Sequence, residues 1–253
     1  MAHDVWAAGD AYQRYVGRWS RPVAEAFVRW LDLPAGGRWL DVGCGTGVLT
    51  AAVPAGEVVG VDPSGPFLEV ASAAVPGAEF HQADARELPF PDRSFDVVVS
   101  GLALNFVPEP ERAVAEFARV GSTVAAYVWD YAEGMAMMRH FWDAAADLDP
   151  AAAELDEGRR FPVCAPQPLS RLWTDAGLRQ VEVRDITVQT VFSDFDDYWT
   201  PFLGGTGPAP GYAMSLDESH RAELREELRS RLVAGPDGRI SLPARAWAVR
   251  GLH

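Results

Sequence analysis

Hydrophobic positions recur with two different spacings along the first half of the chain. Short runs in which nearly every residue is apolar are typical of strands that are buried on both faces of a parallel sheet. Apolar residues at every third or fourth position are typical of amphipathic helices. The apolar runs predict strands over residues 38–42, 57–61, 94–100 and 122–129, and a further short strand is predicted over 79–82, just before Asp84. The periodic stretches predict helices over residues 22–31, 48–53, 66–74 and 109–120. This alternation predicts an α/β fold whose parallel sheet is covered on both faces.

The second half of the chain is less regular. The segment Ser215-Leu-Asp-Glu218 has the form of a capping box and predicts the start of a helix. Alternation after residue 180 predicts a strand, and its phase slips between Val183 and Ile186, which indicates a β-bulge. Ser20 is placed to cap the first helix. The remaining predicted elements are helices over residues 134–148 and 168–176, a loop over 204–211 and a last strand over 240–249.

The first predicted strand ends in a glycine-rich turn, Asp41-Val-Gly43-Cys-Gly45-Thr-Gly47. Glycine allows a positive φ and a close approach of a ligand to the backbone. Such a turn at the carboxyl edge of a doubly wound sheet is typical of a nucleotide site, and an ordinary glycine-rich turn is the alternative. The spacing differs from the G-x-G-x-x-G/A of dinucleotide sites, and a P-loop would need a lysine.

Aspartates occupy the ends of three successive predicted strands. Asp41 precedes the first glycine, where a carboxylate favours a cationic ligand over a pyrophosphate. Asp62 ends the second strand, in the position from which a carboxylate binds ribose hydroxyls. Asp84 follows the third strand and can accept a hydrogen bond from an adenine amino group. A single aspartate at a strand end is usually a turn residue, but three around one glycine turn favour ligand binding.

Composition and charge exclude several classes of function. The chain of 253 residues has 22 basic residues, none of them lysine, and 36 acidic residues, for a net charge of −14. Such a surface should repel nucleic acid and anionic membranes, and the lack of lysine excludes Schiff-base chemistry. No apolar stretch reaches the roughly 20 residues of a membrane helix, and the start lacks the features of a signal peptide. Two cysteines fit a reducing cytoplasm.

The motifs resemble those of the class I S-adenosylmethionine-dependent methyltransferases over roughly residues 38–130. The glycine turn is similar to the family's first motif. Val61-Asp62-Pro63-Ser and Gln82-Ala-Asp84-Ala85 are similar to its acidic and adenine motifs. Residues 95–108, which contain Ser100 and Asn105, are similar to its strand-four region. The likeness is closest to the small-molecule branch that includes ubiquinone and menaquinone methyltransferases. One departure is the turn before strand five, where residues 119–123 replace the family's Lys-Pro-Gly-Gly.

The resemblance implies a doubly wound, Rossmann-like fold with a mostly parallel seven-stranded sheet, an antiparallel last strand and a helical lid insertion. We expect a single domain over residues 1–253. It divides into an N-terminal helical cap (1–33), a cofactor-binding core (34–130), a lid and substrate region with strand six (131–232) and the last strand (233–253). The implied activity moves a methyl group from S-adenosylmethionine to O, N or C of a small aromatic or hydrophobic molecule and leaves S-adenosylhomocysteine. A protein on the same fold that binds either compound without methylating is the alternative.

The resemblance also assigns residues to roles. Arg18 is expected to pair with the methionine carboxylate, and Tyr15 to pack beside it. The cofactor-binding residues are Tyr15, Arg18, Asp41, Gly43, Gly45, Gly47, Asp62, Pro63, Asp84, Ala85 and Ser100. The residues of the acceptor pocket are Asn105, Trp129, Tyr131 and Trp199.

The sequence leaves the need for a general base open, because an amine acceptor needs none. Among the candidates His140 comes first by its ordinary pKa, Asp130 second and His81 third. No His/Asp cluster has metal-ligand spacing, so no metal is expected. The expected partner is a small-molecule acceptor, with neither nucleic acid nor membrane. The oligomeric state stays open, with a homodimer as one option.

Overall fold

The computed structural model describes residues 17–54, 56–205 and 207–253. The strands in these ranges are β1 (Arg38–Val42), β2 (Glu57–Asp62), β3 (Glu79–Gln82), β4 (Phe95–Gly101), β5 (Gly121–Trp129), β6 (Arg179–Phe192) and β7 (Ile240–Leu252). They form a seven-stranded sheet in the order β3-β2-β1-β4-β5-β7-β6. Strands β1 to β5 pair in parallel, and β7 runs antiparallel to β5. The predicted Rossmann-like sheet with its antiparallel last strand is confirmed.

The helices connect these strands largely as the hydrophobic spacing predicts. They are α1 (Ser20–Leu31), α2 (Gly65–Ala74), α3 (Pro110–Val120), α4 (Ala136–Leu148), α5 (Glu157–Arg160), α6 (Pro166–Asp175), α7 (Phe195–Trp199), α8 (Pro208–Ser215) and α9 (Glu218–Arg231). Short 3₁₀ turns lie at Gly17–Trp19, Thr50–Ala52, Leu104–Phe106, Pro150–Leu155 and Thr200–Gly204. Within the described ranges, none of the helices combines the length and the apolar character that a membrane crossing requires.

Burial along the strands explains why some of them are apolar throughout. The central strands β1 and β4 are almost continuously buried, whereas the edge strands β3 and β6 are partly exposed. In β6 the less exposed positions change from odd to even numbers, from Val181 and Val183 to Ile186, Thr190 and Phe192. The phase slip predicted between Val183 and Ile186 is therefore present in the strand.

Two helix starts differ from the prediction. Asp217, not Ser215, caps α9, because its carboxylate accepts a hydrogen bond from the backbone N–H of His220 at 2.9 Å. The Ser215 hydroxyl instead donates to the carbonyl oxygen of Tyr212 at 2.7 Å. Ser20 is itself the first residue of α1, and its buried hydroxyl has no partner among the described residues, so it does not act as a cap.

Two segments have a backbone conformation that differs from the one predicted from the sequence. The predicted loop over 204–211 already contains the first turn of α8, because Pro208 occupies the first helical position, where a missing N–H costs nothing. The predicted helix over 48–53 is reduced to turns and the 3₁₀ turn Thr50–Ala52. Gly47, at φ +84°, and Pro54 limit a regular helix from both sides.

The chain forms two compact units. The first unit comprises Ser20–Trp129, Val163–Ile186 and Ala246–His253, and the second comprises Asp130–Pro162, Thr187–Arg245 and, of the described N-terminal residues, 17–19. In the first unit, Phe27 of α1 packs against Tyr127 of β5 with ring centroids 4.6 Å apart. In the second unit, Phe141 of α4 stacks on Phe202 at 4.5 Å. Each unit therefore has an aromatic core of its own.

Candidate functional site

The glycine turn after β1 is held in a conformation that requires glycine. Gly43, Gly45 and Gly47 have φ values of +73°, +52° and +84°. The N–H of Gly43 donates to the carbonyl oxygen of Val61 at the end of β2, at 2.8 Å. A Cβ on Gly43 would lie 2.5 Å from the Cβ of Ala103. At Gly43 the turn therefore passes next to the segment after β4 with no room for a side chain, whereas at Gly45 nothing lies within 4 Å of a built Cβ.

Asp41 is completely buried at the end of β1, one of the central strands. The Thr50 hydroxyl donates to its Oδ2 at 2.7 Å, and its Oδ1 has no partner among the described residues. Burial raises the pKa of Asp41 to about 7, although the hydrogen bond from Thr50 opposes the rise; the nearby Asp62 carboxylate raises this pKa further. A buried carboxylate with a free oxygen is suited to a polar or cationic partner.

Asp62 connects the end of β2 to the glycine turn. Its Oδ2 accepts a hydrogen bond from the N–H of Gly45 at 2.9 Å, and its Oδ1 accepts one from the N–H of Ser64 at 2.8 Å. Burial raises the pKa of Asp62, and the two backbone hydrogen bonds oppose that rise. Each carboxylate oxygen keeps a lone pair, so Asp62 can also accept from hydroxyl groups.

Asp84 follows β3 and is half exposed. Arg86 donates to its carboxylate, with Nη2 2.6 Å from Oδ2 and Nε 3.0 Å from Oδ1. These hydrogen bonds lower the pKa of Asp84 to about 2. Arg86 also donates to Glu109 at 3.0 Å. Asp84, the predicted partner of the adenine, is therefore already hydrogen-bonded to Arg86. This contact was not predicted from the sequence.

Other cofactor candidates lie near the same strand ends. Ser100 is buried in β4, and Ala85 is half-buried after Asp84. Pro63 is exposed, and its carbonyl oxygen accepts a hydrogen bond from Gln82 Nε2 at 2.7 Å. The structure brings Asp62 into direct contact with the glycine turn and places it near enough to Asp41 to raise the pKa of that carboxyl.

Two residues predicted to line the methyl-acceptor pocket lie in the first unit and have polar atoms without partners. Asn105 lies in the 3₁₀ turn after β4, and both polar atoms of its amide are buried with no hydrogen-bond partner among the described residues. Trp129 ends β5 and is buried, and its Nε1 has no such partner. Buried polar groups are nearly always hydrogen-bonded, so these atoms are candidates for contact with a ligand.

Arg18 and Asp130, both in the second unit, are paired with residues of the same unit. Arg18 Nη1 lies 2.7 Å from Asp197 Oδ1, and its guanidinium stacks on Trp19 at 4.5 Å. Asp130 is buried, and its Oδ2 lies 2.6 Å from Arg245 Nη2. Tyr15, predicted beside Arg18, lies outside the described residues.

His140 lies on α4 and is half-buried. Burial lowers its pKa; Asp143 raises the pKa and Arg231 lowers it. A lowered pKa keeps the imidazole neutral near pH 7, which is the form that accepts a proton. The third candidate, His81 of β3, lies 3.0 Å from Glu79.

The two aromatic candidates of the second unit are buried. Tyr131 packs against Phe161 with ring centroids 5.7 Å apart. Trp199 packs beside Phe202 at 6.2 Å. Over the described parts of the chain, no group of three or more His, Cys, Asp or Glu side chains is arranged to hold a metal ion.

Glu157 is a buried titratable residue that the sequence analysis missed. The indole N–H of Trp142 donates to its Oε2, and its Oε1 has no partner among the described residues. Burial raises its pKa to about 7, against the opposing effect of the hydrogen bonds that it accepts. No motif surrounds Glu157, so only the tertiary packing identifies it. Thr50 was missed as well, although a hydroxyl nine residues after Asp41 could have been considered.

Comparisons with known proteins agree with this fold and turn. Residues 40–123 match the family model described as a methyltransferase domain. A phosphatidylethanolamine N-methyltransferase of Cereibacter sphaeroides is 48% identical over 69 residues, which are 25% of this chain and 34% of that protein. A demethylmenaquinone methyltransferase of Renibacterium salmoninarum is 41% identical over 125 residues, 47% of this chain and 48% of that protein. The chain thus matches about a third to a half of the length of these curated relatives.

Solved structures extend the likeness of fold to most of the chain. A methyltransferase structure from an antibiotic biosynthesis pathway of Anabaena variabilis has a TM-score of 0.62 at 21% identity. The alignment covers 90% of this chain and 96% of that one. The resemblance found from the sequence is confirmed for the methyltransferase domain that residues 40–123 match, and the fold of solved methyltransferase structures extends over most of the chain.

Proposed function

We propose that this protein transfers a methyl group from S-adenosylmethionine to an O, N or C atom of a small molecule. The observation that carries the proposal is the contact of Asp62 with the glycine turn, beside the buried and partly unpaired Asp41. The methyltransferase domain match over residues 40–123 covers the same turn.

The residues present fit this cofactor. S-adenosylmethionine is cationic at its sulfonium and amino groups, and the free Oδ1 of Asp41 gives the turn a buried acceptor for a polar or cationic group. At Gly45 nothing lies within 4 Å of a built Cβ, so the backbone there is accessible to a ligand. Asp62 is suited to the ribose hydroxyls because both of its oxygens have a spare lone pair. Asp84 is proposed to accept from the adenine amino group, with Arg86 fixing its carboxylate.

The remaining cofactor roles follow the resemblance. Arg18 is proposed to bind the methionine carboxylate by a bidentate contact, for which it must leave Asp197. Tyr15 would pack beside it. Pro63, Ala85 and Ser100 would contact the nucleoside through the strand ends on which they lie.

The bound cofactor would supply an electrophilic methyl group. When the S–C bond breaks, its electron pair would stay on the sulfur. The task of this chain is then to align the acceptor atom with that methyl carbon and to exclude water, because positioning accounts for much of the rate. An acidic O–H or C–H acceptor also loses a proton. We propose that neutral His140 takes this proton. Asp130 is the second candidate, although its ion pair with Arg245 reduces its availability.

The acceptor is proposed to be an aromatic or hydrophobic small molecule. Asn105 and Trp129 offer buried polar atoms without partners, and Tyr131 and Trp199 offer aromatic surface. The relatives include an N-methyltransferase and a demethylmenaquinone methyltransferase, so they leave the attacked atom open. The two cysteines support a site of action in a reducing cytoplasm, and the net charge of −14 supports the absence of nucleic-acid binding. A gel shift of transfer RNA at low salt and micromolar protein would contradict the latter.

The decisive experiment incubates the protein with S-adenosylmethionine and a panel of phenols, amines and quinols. We expect S-adenosylhomocysteine to form together with an acceptor that is 14 mass units heavier. Asp62→Ala should weaken cofactor binding in calorimetry by tenfold or more, since each lost charged hydrogen bond costs about 1.5–3 kcal/mol. Glu57→Gln, which removes an exposed carboxylate at the other end of β2, is the matched control.

Two results would contradict the proposal. Unchanged cofactor affinity in a folded Asp62→Ala variant would remove the ribose assignment. Tight binding of S-adenosylmethionine with no S-adenosylhomocysteine formed from any acceptor would favour the alternative, a protein that binds the cofactor without methylating.

A further inference from the structure

The second unit contains a cavity of about 280 Å³ that none of the assigned roles explains. It lies among the 3₁₀ turn Thr200–Gly204, α8 and α9. Its walls are formed by Trp199, Leu203, Met214, Arg221, Ala222 and Arg225. Of these residues only Trp199 appears among the predicted acceptor residues.

The walls of this cavity are largely apolar and open to solvent. Trp199 is buried and forms one wall. Leu203 and Met214 are large apolar side chains, yet they remain 40% and 45% exposed. Apolar surface left in contact with water at a concave site is typical of ligand binding.

Both charged residues in the walls are arginines, although the chain as a whole carries a net charge of −14. Arg225 is already neutralised, because Asp196 and Glu226 lie 2.7 Å and 3.1 Å from its guanidinium. Arg221 has no carboxylate partner among the described residues. Its guanidinium donates a hydrogen bond to the carbonyl oxygen of Leu216 at 3.2 Å and makes a long contact to the Met214 sulfur at 3.7 Å.

We propose that this cavity binds an amphipathic anion, a carboxylate attached to an aromatic ring system or a short acyl chain. The apolar part lies against Trp199, Leu203 and Met214, and the carboxylate pairs with Arg221. A guanidinium presents its donors in a planar fork that matches a carboxylate. The cavity volume is slightly below the roughly 300 Å³ at which typical ligand sites begin, which fits a compact ring system and excludes a large cofactor.

The site stands independently of the proposed methyl transfer, because only binding is inferred. An anion of this chemistry has two possible sources: it is the methyl acceptor itself, or it is a separate ligand that is never methylated. Because both sources share a carboxylate on an apolar group, one binding experiment tests the site for either of them. A later step of that experiment distinguishes the two sources.

The test titrates 2-naphthoate into the full chain by calorimetry, without S-adenosylmethionine. The uncharged control ligand is 2-naphthalenemethanol, which has the same rings. We expect naphthoate to bind at least tenfold more tightly than the alcohol, and Arg221→Gln to remove that difference. The matched control is Arg229→Gln, two turns further along α9 than Arg221, where the arginine stacks on Phe195 outside the cavity walls. It should leave naphthoate affinity unchanged within twofold.

A second variant keeps the proposal testable if Arg221→Gln disturbs the helix. Ala222→Glu places a carboxylate in the wall at an exposed position of α9 and should abolish naphthoate binding. The proposal is wrong if the alcohol binds as tightly as naphthoate. It is also wrong if both wall variants, shown to be folded by thermal unfolding, bind naphthoate as the unchanged protein does.

To distinguish a methyl acceptor from a separate ligand, S-adenosylmethionine is added to the naphthoate complex and to complexes of its hydroxy and amino derivatives. A gain of 14 mass units in the anion that Arg221→Gln suppresses identifies the cavity as an acceptor subsite. Binding that depends on Arg221 without any mass change identifies a separate ligand. Both results support the cavity as an anion site. Failure of methyl transfer alone does not affect it, since binding is measured without the cofactor.

Discussion

Each of the two units buries one carboxyl group whose pKa burial raises to about 7. In the first unit this group is Asp41, next to Asp62 and the glycine turn. In the second unit it is Glu157, bound by the indole of Trp142 in an aromatic core. The two environments are similar, but only Asp41 stands in a recognisable motif. Burial of an acid can therefore follow from a local turn or from long-range packing, and only the first leaves a pattern in the sequence.

The units also differ in the chemistry that we propose for them. The first unit carries the cofactor residues on the ends of parallel strands. The second carries His140 and Asp130, the candidates for proton transfer. If this division is correct, variants of the strand-end residues in the first unit should change cofactor affinity, whereas variants of His140 and Asp130 should change the turnover of a bound cofactor. Arg18 is the exception, because it lies in the second unit and is proposed to bind the cofactor.

The largest expected effect comes from His140→Gln. A general base contributes about 10²–10⁴ to the rate, so kcat should fall by that factor with an acidic acceptor while cofactor affinity stays unchanged. The loss should shrink as pH rises, because a more ionised acceptor needs less help. Steady-state kinetics and calorimetry on the same preparation measure both quantities.

The control for this substitution is His220→Gln on α9, which removes an exposed histidine paired with Asp217. It should leave kcat unchanged. Equal losses of kcat and cofactor affinity in His140→Gln would place His140 in the core of the second unit. An unchanged kcat would favour catalysis by positioning alone.

The second prediction concerns the backbone of the first unit. Gly43→Ala places a Cβ 2.5 Å from that of Ala103 at a positive φ. The positive φ costs about 1–2 kcal/mol and the overpacking about 1–3 kcal/mol, so the free energy of unfolding should fall by about 2–5 kcal/mol. Denaturant unfolding measures this change, and cofactor affinity should fall as well.

Gly36→Ala separates the two causes, because Gly36 has φ +98° with nothing within 4 Å of a built Cβ. It should lose only the smaller, conformational part. Adding Ala103→Gly to Gly43→Ala should restore the packing part. A double variant no more stable than Gly43→Ala would show that the contact with Ala103 is not the cause.

The sequence predicts the boundaries of secondary-structure elements better in the first unit than in the second. Strands β1 and β3 begin and end at the predicted residues, because the turn residues that bound a short strand are a local signal. In the second unit the cap of α9 is Asp217 instead of Ser215, and α8 begins inside a predicted loop. Those choices depend on which nearby group reaches the helix N-terminus, which a pattern does not specify.

Side-chain partners were the least predictable part of the candidate site. Asp62 lies beside the glycine turn as its position at a strand end indicates. The contacts of Arg86 with Asp84 and of Asp197 with Arg18 depend on individual side-chain rotamers, which the sequence does not specify. Glu157 needs Trp142, fifteen residues earlier in the chain, to define its surroundings. The backbone thus sets where strand ends lie, and packing sets what each side chain touches.

The third prediction tests the two buried acids through the pH dependence of stability. An acid whose pKa is raised on folding binds a proton more tightly in the folded state. Its stabilising contribution is therefore complete below its unfolded pKa and is lost as pH rises through about 7. For Glu157, with an ordinary pKa of 4.5, the loss between these values is about 3 kcal/mol at most.

Glu157→Gln should consequently flatten the decline in unfolding free energy between pH 4.5 and 7. Asp41→Asn should do the same in the first unit, and Glu154→Gln, which removes an exposed carboxylate near Glu157, should not. Denaturant unfolding at several pH values measures all three. A variant of Glu157 that keeps the full pH slope would show that this group ionises as readily as an exposed one.

The smallest expected effect concerns Arg18, whose side chain is 30% exposed in its ion pair with Asp197. An exposed pair contributes about 0–1 kcal/mol, so Arg18→Gln and Asp197→Asn should each change the unfolding free energy by less than about 1 kcal/mol. Binding should separate them. Arg18→Gln should weaken S-adenosylhomocysteine binding about tenfold, as expected for a lost charged hydrogen bond. Asp197→Asn should leave that affinity unchanged or slightly higher, because Arg18 no longer has to exchange partners. Methylthioadenosine, which lacks the methionine carboxylate, should bind both variants as it binds the unchanged protein. If Arg18→Gln weakens both ligands equally, or neither, Arg18 acts through its packing on Trp19 and Phe192, and the carboxylate contact must be assigned elsewhere.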